Sequence, residues 1–319
     1  MKHHDLLLKG KRKKASVFSY FLGNYELYLM SLPGLLFLCV YKFLPLYGLT
    51  LAFKQFNIFG GQTLLDSIAK SPWVGFFHFE RLFSKPEFLR VLGNTLIISS
   101  YKIFFLFPLP ILLALLLNEV RNRFFKRTIQ TLIYIPHFLS WVVVFGLFYS
   151  LLGSYGIVNN LLRVAGIEPV RFFMDTSLFR GILVFTEGWK DVGWSTIVYL
   201  AALTAIDPEL YEAAVVDGAN RFRQITAITI PGIIPVVSLM LILRVGKILE
   251  AGSEQVLAMY NPSVYDVGDI IETYVYRIGL GQMDFSLGTA LGLFNSVVAF
   301  LLIFFSNAFS RRLLGKSIW

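Results

Sequence analysis

Long apolar stretches separated by short polar segments dominate the sequence. A helix needs ~20 apolar residues to cross a bilayer, and windows of about that length find six such stretches. Pro33 and Pro45 predict an interruption in the first stretch, and the fourth differs from the others because it carries four charged residues. We therefore predict six transmembrane helices, at residues 27–53, 91–117, 129–152, 178–203, 231–251 and 286–309.

Lysine and arginine are distributed unevenly between the two sides of these predicted helices. The side with both chain ends and alternate connections has 15 Lys and Arg in 71 residues, and the other side has 8 in 96. By the positive-inside rule, both termini face the cytoplasm. Residues 1–24 are then a basic cytoplasmic tail, and residues 25–319 form the membrane domain. We interpret the tail as a topology determinant and predict no nucleic-acid partner.

The composition agrees with a protein that crosses the membrane several times. Apolar residues make up 56% of the 319 residues and charged residues only 15%, with a mean hydropathy of +0.65. Soluble domains have about 25% charged residues, so a water-soluble enzyme is excluded. The single cysteine, Cys39, permits no intramolecular disulfide and no cysteine-based zinc site. The predicted fold class is all-α and integral to the membrane.

Motifs that would carry chemistry are missing. Gly315-Lys316-Ser317 is the only Gly-Lys-Ser, and Ser310 stands where a phosphate-binding loop needs glycine, so no ATP site is predicted in this chain. The four histidines lack a zinc-binding spacing. No nucleophile elbow and no carboxylate pair with acid and base roles is evident. We therefore predict no catalytic residue, no metal site and no cofactor in this chain.

The connection between the fourth and fifth predicted helices contains a short helix of its own. Asp207 is a good N-cap and Pro208 suits the first helical position, while Gly218 can end the helix. Ala213 and Ala214 are small enough to let another protein approach closely. The sequence thus predicts a cytoplasmic contact helix.

This connection resembles the EAA loop of ABC importer permeases. The motif starts with Glu212-Ala213-Ala214, and Gly218 follows after three intervening residues. After nine further residues comes Ile228-x-Ile230-Pro231, in which Ile230 stands where leucine is usual. From about residue 25 to 319 the chain is similar to carbohydrate-uptake permeases of the LplB type, which are related to the first maltose permease subunit, and to a membrane subunit of the alginate oligosaccharide importer. Further segments that carry the resemblance are 94–96, 115–121, 134–138 and 260–267.

The resemblance implies a six-helix permease with the MetI-like fold of type I importers. Residues 207–221 would form the coupling helix that docks into an ATPase. In this helix Glu212 would anchor the contact, Ala213 and Ala214 would set its depth, Asp217 would belong to the same surface and Gly218 would supply the turn after it.

The resemblance also implies an assembly in the bacterial cytoplasmic (inner) membrane. Its other members would be a second, non-identical permease subunit, two ATPase subunits that bind ATP and Mg, and an extracytoplasmic solute-binding protein. Oligosaccharides would be imported by alternating access through the lipid bilayer.

Charges within the predicted spans indicate where the cargo passes, because a charge in lipid is costly and usually faces a cavity or a partner. The fourth span carries Glu187, Lys190 and Asp191 beside Trp189 and Trp194, a combination that suits the hydroxyl rims and apolar faces of sugars. The alternative is a local pair between Glu187 and Lys190, which lie three residues apart.

The fifth span supplies a second group of charges. Arg244, Lys247 and Glu250 recur every three residues, which predicts a stripe on one helix face. Such a stripe would attract acidic sugars of the uronate or alginate type, or pair with carboxylates of the partner permease. Lys102 of the second span is expected to snorkel or to pair within the bundle.

Two other functions are compatible with the apolar pattern alone. In a stand-alone secondary transporter or channel, the intramembrane charges would form an ion relay, but the EAA-like loop would have no purpose. A membrane enzyme or scaffold is the other alternative, and the chain has no catalytic constellation to support it.

Overall fold

The computed structural model describes residues 24–314, which are almost entirely helical. Residues 1–23 of the predicted basic tail lie outside the described part. Within that part, extended pairing is limited to one bridge between Lys54 and Trp73. The α-helices are α1 (Tyr25–Leu38), α2 (Leu64–Lys70), α3 (Phe77–Phe83), α4 (Pro86–Leu106), α5 (Pro108–Glu119), α6 (Arg123–Tyr134), α7 (Trp141–Leu152), α8 (Ile157–Val164), α9 (Thr176–Thr204), α10 (Pro208–Val216), α11 (Arg221–Gln224), α12 (Ile230–Gly246), α13 (Ser253–Met259), α14 (Tyr265–Gly268), α15 (Ile271–Tyr276) and α16 (Phe285–Leu314).

The first predicted span changes its hydrogen-bond pattern twice. Helix α1 continues into a π-helical segment, Cys39–Phe43, and then into a 3₁₀ segment, Leu44–Phe53. The second change occurs beside Pro45, which has no N–H with which to continue an α-helix. Pro33 lies inside α1. The 3₁₀ segment packs against α16 and thereby joins the first span to the bundle.

The second span corresponds to α4 and α5, which meet at Phe107 before Pro108. The third predicted span, 129–152, is not one continuous helix, and that expectation was wrong. Helix α6 begins at Arg123 and is followed by a 3₁₀ turn, Ile135–Phe138, before α7 starts at Trp141. Pro136 explains the break, because it cannot donate a helical hydrogen bond.

The fourth predicted span is α9, and its composition sets it apart. Five segments of the described chain are long and apolar enough to cross a membrane: Tyr25–Phe53, Pro86–Glu119, Trp141–Val164, Arg221–Gly246 and Phe285–Ala308. Helix α9 is not among them, because Glu187, Lys190 and Asp191 interrupt its apolar sequence. Its 29 residues nevertheless extend about 43 Å at 1.5 Å per residue, more than the ~30 Å of a hydrocarbon core.

The fifth predicted span, 231–251, ends earlier than expected. Helix α12 stops at Gly246, so Lys247 and Glu250 lie in the turns that follow it. The predicted stripe of three charges on one helix face therefore does not form. Gly252 has a φ of 75°, a left-handed conformation that favours glycine, and α13 starts directly after it. The sixth predicted span, 286–309, is α16.

Helix α9 lies at the centre of the fold and packs against α4, α5, α6 and α12. At one end, Phe179 is buried with Val256 of α13. At the other end, Leu203 is buried with Ala114 of α5. Glu187, Lys190 and Asp191 lie between these two apolar clusters, which hold α9 on both sides of the three charges.

Candidate functional site

A buried ion cluster joins three helices at the middle of α9. Lys102 of α4 lies 2.6 Å from Glu187, through Nζ and Oε2, and both side chains are almost completely buried, at 2% and 8% exposure. Arg244 of α12 binds the other carboxylate oxygen, Oε1, and is 41% exposed. A buried carboxylate is tolerated when it is paired and hydrogen-bonded, and Glu187 has two cationic partners. The predicted local pair between Glu187 and Lys190 is not formed.

Lys102 also holds the turn that follows α12. Its Nζ donates to the carbonyl oxygen of Ala251 at 2.8 Å and to Oε1 of Gln255 at 2.5 Å, so with Glu187 all three of its protons have acceptors. Gln255 in turn donates to the carbonyl oxygen of Leu183 at 2.7 Å. A Cβ at Gly252 would lie 2.5 Å from Lys102 Nζ, so glycine is needed there for space as well as for its φ. The cluster thus fixes the turn after α12 to α9.

The break between α6 and α7 brings a second group of polar residues to α9. A broken helix frees backbone carbonyl groups, which need partners inside a membrane. Lys190 provides one, because its Nζ donates to the carbonyl oxygen of His137 at 2.6 Å. The same ammonium group lies 5.5 Å from the centre of the Trp141 ring. Lys190 is therefore buried behind the break and stabilises it.

His137 itself is oriented by two residues of α9. Its Nδ1–H donates to Oδ1 of Asp191 at 2.7 Å, since the carboxylate can only accept. The imidazole is stacked on the Trp194 ring, with centroids 4.5 Å apart and planes 2° from parallel. These contacts leave Asp191 and Trp194 partly exposed in fixed orientations. Helix α6 can come close to α9 here because Gly193 has no side chain. A Cβ at this position would lie only 2.0 Å from the carbonyl oxygen of Ile133.

Two adjoining cavities, of about 210 and 220 Å³, open onto this centre and share Glu187, Asp191 and Arg244. Trp194 lines the first and Lys247 lines the second. The cavities are polar at their shared wall, where charged groups from α9 and α12 meet, and the first is otherwise mostly apolar. A wall with charged groups beside an indole face can hydrogen-bond and stack against a sugar.

The sequence-predicted residues are thus brought together only in part. Lys247 lies at the rim, where it is 3.6 Å from Glu250, and both are exposed. Trp189 points elsewhere, packing edge-on against Phe148. His137 was missed as a site residue, although it stands next to Pro136, where a helix break was the available signal. Among the described residues, no group of three or more His, Cys, Asp or Glu side chains is placed to hold a metal ion.

A second candidate site is the short helix α10, at the end of α9. The Asp207 side chain caps it by accepting from the Glu209 N–H at 3.0 Å. At the other end, Gly218 adopts a φ of 77°, and two backbone bonds close a Schellman motif, from Gly218 N to Val215 O at 3.1 Å and from Ala219 N to Ala214 O at 2.8 Å. The predicted cap at Asp207 and the predicted stop at Gly218 are confirmed, but the helix does not extend to residue 221 as expected for the coupling helix, because Gly218 ends it and a separate helix, α11, starts at Arg221.

The exposed surface of α10 is unusual for a helix with apolar residues. None of its residues is buried, and Val216 is 87% exposed. Glu212 and Ala213 are exposed as well, and Glu212 forms no ion pair with any residue in the described part of the chain. One polar contact ties α10 back to the fold, between the hydroxyl groups of Tyr211 and Thr229 at 3.0 Å. The helix is thus linked to the fold through Tyr211 and presents most of its surface outward.

Comparison with known proteins identifies relatives over nearly the whole chain. A family model described as "Binding-protein-dependent transport system inner membrane component" matches residues 107–315. The chain is 42% identical over 316 residues to the polygalacturonan/rhamnogalacturonan transport system permease protein YteP of Bacillus subtilis (strain 168), an alignment that covers 99% of this chain and 97% of that protein. It is 44% identical over 287 residues to Protein LplB of the same organism, covering 90% and 88%.

Two solved structures show the same fold. One chain comes from a bacterial alginate ABC transporter in complex with alginate pentasaccharide-bound periplasmic protein; it has a TM-score of 0.84 and 39% identity, and the match covers 95% of this chain and 99% of that one. The other comes from a bacterial ABC transporter involved in the import of the acidic polysaccharide alginate, with a TM-score of 0.84, 41% identity, and coverage of 93% and 98%.

Proposed function

The chain belongs to the family of inner membrane components of binding-protein-dependent transport systems, and we propose that its cargo is an acidic oligosaccharide. As a member of this family it is a permease subunit of an ABC importer in the bacterial inner membrane and not a catalytic enzyme. It crosses the membrane six times with both termini in the cytoplasm, α9 being the span that composition alone does not reveal. The length of α9 and its central packing support this topology.

The observation that carries the cargo class is the charge balance at the middle of α9. Three cations, Lys102, Lys190 and Arg244, meet two carboxylates, Glu187 and Asp191. One positive charge is therefore left over in a region where charge is costly. A uronate carboxylate would neutralise it through a charge-assisted hydrogen bond, and a neutral sugar would not. The relatives agree, since YteP is named for polygalacturonan/rhamnogalacturonan and a solved relative imports the acidic polysaccharide alginate.

Each residue of the site has a role in this proposal. Arg244 is the cation that is both paired and open to the cavities, so it receives the sugar carboxylate. Trp194 offers the ring face that His137 does not cover, and Asp191 accepts from sugar hydroxyl groups. Lys247 extends the positive charge at the rim. Glu187, Lys102 and Lys190 act as positioning residues behind this surface.

Helix α10 is the coupling helix of the importer. Its exposed Glu212 and Ala213 and the half-buried Ala214 dock into one of two ATPase subunits, which hold ATP and Mg, while Asp217 and Gly218 form the end of the contact. A second, non-identical permease subunit completes the path, and an extracytoplasmic binding protein delivers the sugar. The capped geometry and outward surface of α10 support this role.

The decisive experiment measures ATP hydrolysis and uptake by the reconstituted complex of permeases, ATPases and binding protein in proteoliposomes. Oligogalacturonates and alginate oligosaccharides are compared with neutral oligosaccharides of equal length. Stimulation by the acidic series supports the proposal, and stimulation by neutral sugars alone contradicts the cargo class. Uptake by the permease chain without ATP would contradict the importer and favour a stand-alone transporter.

A further inference from the structure

Helix α6 has two chemically different faces. Arg123, Arg127, Gln130 and Tyr134 follow one another at helical spacing and form a single polar face. Phe125 and Leu132 occupy the opposite face, which is apolar and exposed, and the exposed Phe124 lies at its edge. In a bilayer the apolar face is suited to lipid, whereas a polar face within the span needs water, a ligand or a partner. We call the first four residues the α6 polar face.

The position of this face connects it to the candidate site. Helix α6 begins in the basic connection that the positive charges place on the cytoplasmic side, and its 12 residues rise about 18 Å. That is roughly half of the ~30 Å hydrocarbon core, so a helix that starts at the cytoplasmic boundary and runs along the membrane normal would end near the midplane. The break that follows contains His137, which contacts Asp191 and Trp194. The α6 polar face thus extends from the basic connection toward His137, which contacts two residues that line the first cavity, Asp191 and Trp194.

The cations on this face are available for a ligand. Arg123 and Arg127 are both exposed, and neither forms an ion pair with a carboxylate of the described residues. Gln130 and Tyr134 are half-buried beside α9, where Ile133 packs against Gly193. Two guanidinium groups at the cytoplasmic end, followed by an amide and a phenol, offer donors for carboxylate and hydroxyl groups along one line.

We infer that the α6 polar face is a second binding site for the carboxylates of an acidic oligosaccharide, occupied on its way from the central cavities to the cytoplasm. This inference rests on the proposed function, because it takes the same cargo class. Exposed arginines bind a carboxylate weakly, since solvent screens the pair. Weak binding suits an exit site, where the cargo has to be released after each step.

The test uses the complete transporter with its binding protein in proteoliposomes. Arg127→Gln and Arg123→Gln/Arg127→Gln remove the charge and keep a polar side chain of moderate size. We expect the double variant to import oligogalacturonate about fivefold more slowly, as one or two screened ion pairs would predict, and neutral oligosaccharides at the original rate. The loss of acidic-sugar uptake should shrink as salt rises, because salt weakens the wild-type pairs.

Arg121→Gln is the matched control, because it removes the same charge from the same basic connection but lies before the helix and outside the α6 polar face. Equal rates for the double variant and wild type, or equal losses for acidic and neutral sugars, would overturn the inference; equal losses would assign the arginines to the lipid surface or to insertion. If the wild-type complex imports only neutral sugars, the proposed cargo class and this second site would both be overturned. If the wild-type complex imports acidic sugars selectively but the arginine variants import them at the wild-type rate, this second site alone would be overturned.

Discussion

The middle of α9 and the helix α10 lie close together in the chain but are stabilised in opposite ways. At the middle of α9, Glu187 is held by residues from two other helices and is nearly removed from solvent. On α10, Glu212 is exposed, and the helix is defined by its own ends, Asp207 and Gly218. The first region depends on distant parts of the chain, and the second depends on local sequence.

This difference corresponds to two tasks. A site that contacts cargo inside the membrane needs charged groups in exact mutual positions, and only several packed elements can supply them. A surface that transmits motion to another subunit needs a rigid shape and exposed contact groups, which a short capped helix provides. Substitutions in the two regions should therefore separate stability from coupling.

The largest effect is expected from Lys102→Met, which would break the buried cluster. Glu187 would keep only Arg244, and the carbonyl oxygen of Ala251 and the Gln255 side chain would lose a donor. Removing one partner of a buried ion pair typically costs about 3–5 kcal/mol. The thermal unfolding midpoint of the purified complex should fall clearly. Lys247→Met is the control, because Lys247 is exposed and its pair is long; similar losses for both variants would contradict the buried cluster.

A smaller effect is expected from Gly193→Ala, which tests how closely α6 and α9 pack. The new methyl group would meet the Ile133 carbonyl oxygen, which belongs to the backbone and cannot rotate away. Overpacking of this kind costs about 1–3 kcal/mol, and the shift of α6 would also disturb His137. We expect a lower unfolding midpoint and weaker sugar-stimulated ATP hydrolysis. Gly181→Ala on the same helix has open space around it and should change neither quantity.

These two regions also differ in how far they could be predicted. The start of α10 and the glycine that stops it follow from local chemistry, a capping aspartate before proline and a glycine that can adopt positive φ, although the range expected for the coupling helix, 207–221, ran past the observed end at Val216. The family resemblance of the same segment was equally visible, because a spaced motif needs no knowledge of packing.

For the ion cluster at the middle of α9, the sequence predicted only that charged residues within a span have a functional role, not which of them contact one another. The apolar windows place Glu187 in a predicted span, but whether its ionic partner is Lys190, Lys102 or Arg244 depends on which helices pack together. His137 was missed because its role arises from a helix break that an apolar window averages away. The prediction of a charged stripe on the fifth span was wrong for a related reason, because α12 ends at Gly246, before Lys247. Long-range packing decided each of these points.

The smallest effect on stability, and the sharpest separation of the two regions, is expected from Glu212→Lys on α10. Glu212 is exposed and forms no ion pair within the described chain. The free energy of unfolding should therefore stay within about 0.5 kcal/mol of wild type. In the proposed complex the reversed charge faces the ATPase subunit, so hydrolysis should proceed without sugar uptake in proteoliposomes.

Two further variants decide whether this loss comes from the contact itself. Glu209→Lys makes the same charge change one turn earlier on the same side of α10, outside the Glu212-Ala213-Ala214 motif and farther from the Gly218 end, and should retain most of the uptake. Gly218→Asp places a side chain at positive φ, costs about 1–2 kcal/mol of local conformational energy and should uncouple by displacing the end of α10. Normal uptake by both Glu212→Lys and Gly218→Asp would refute the coupling role. Uncoupling by Glu209→Lys as well would mean that α10 responds to charge as a whole, and the contact would then not be centred on Glu212.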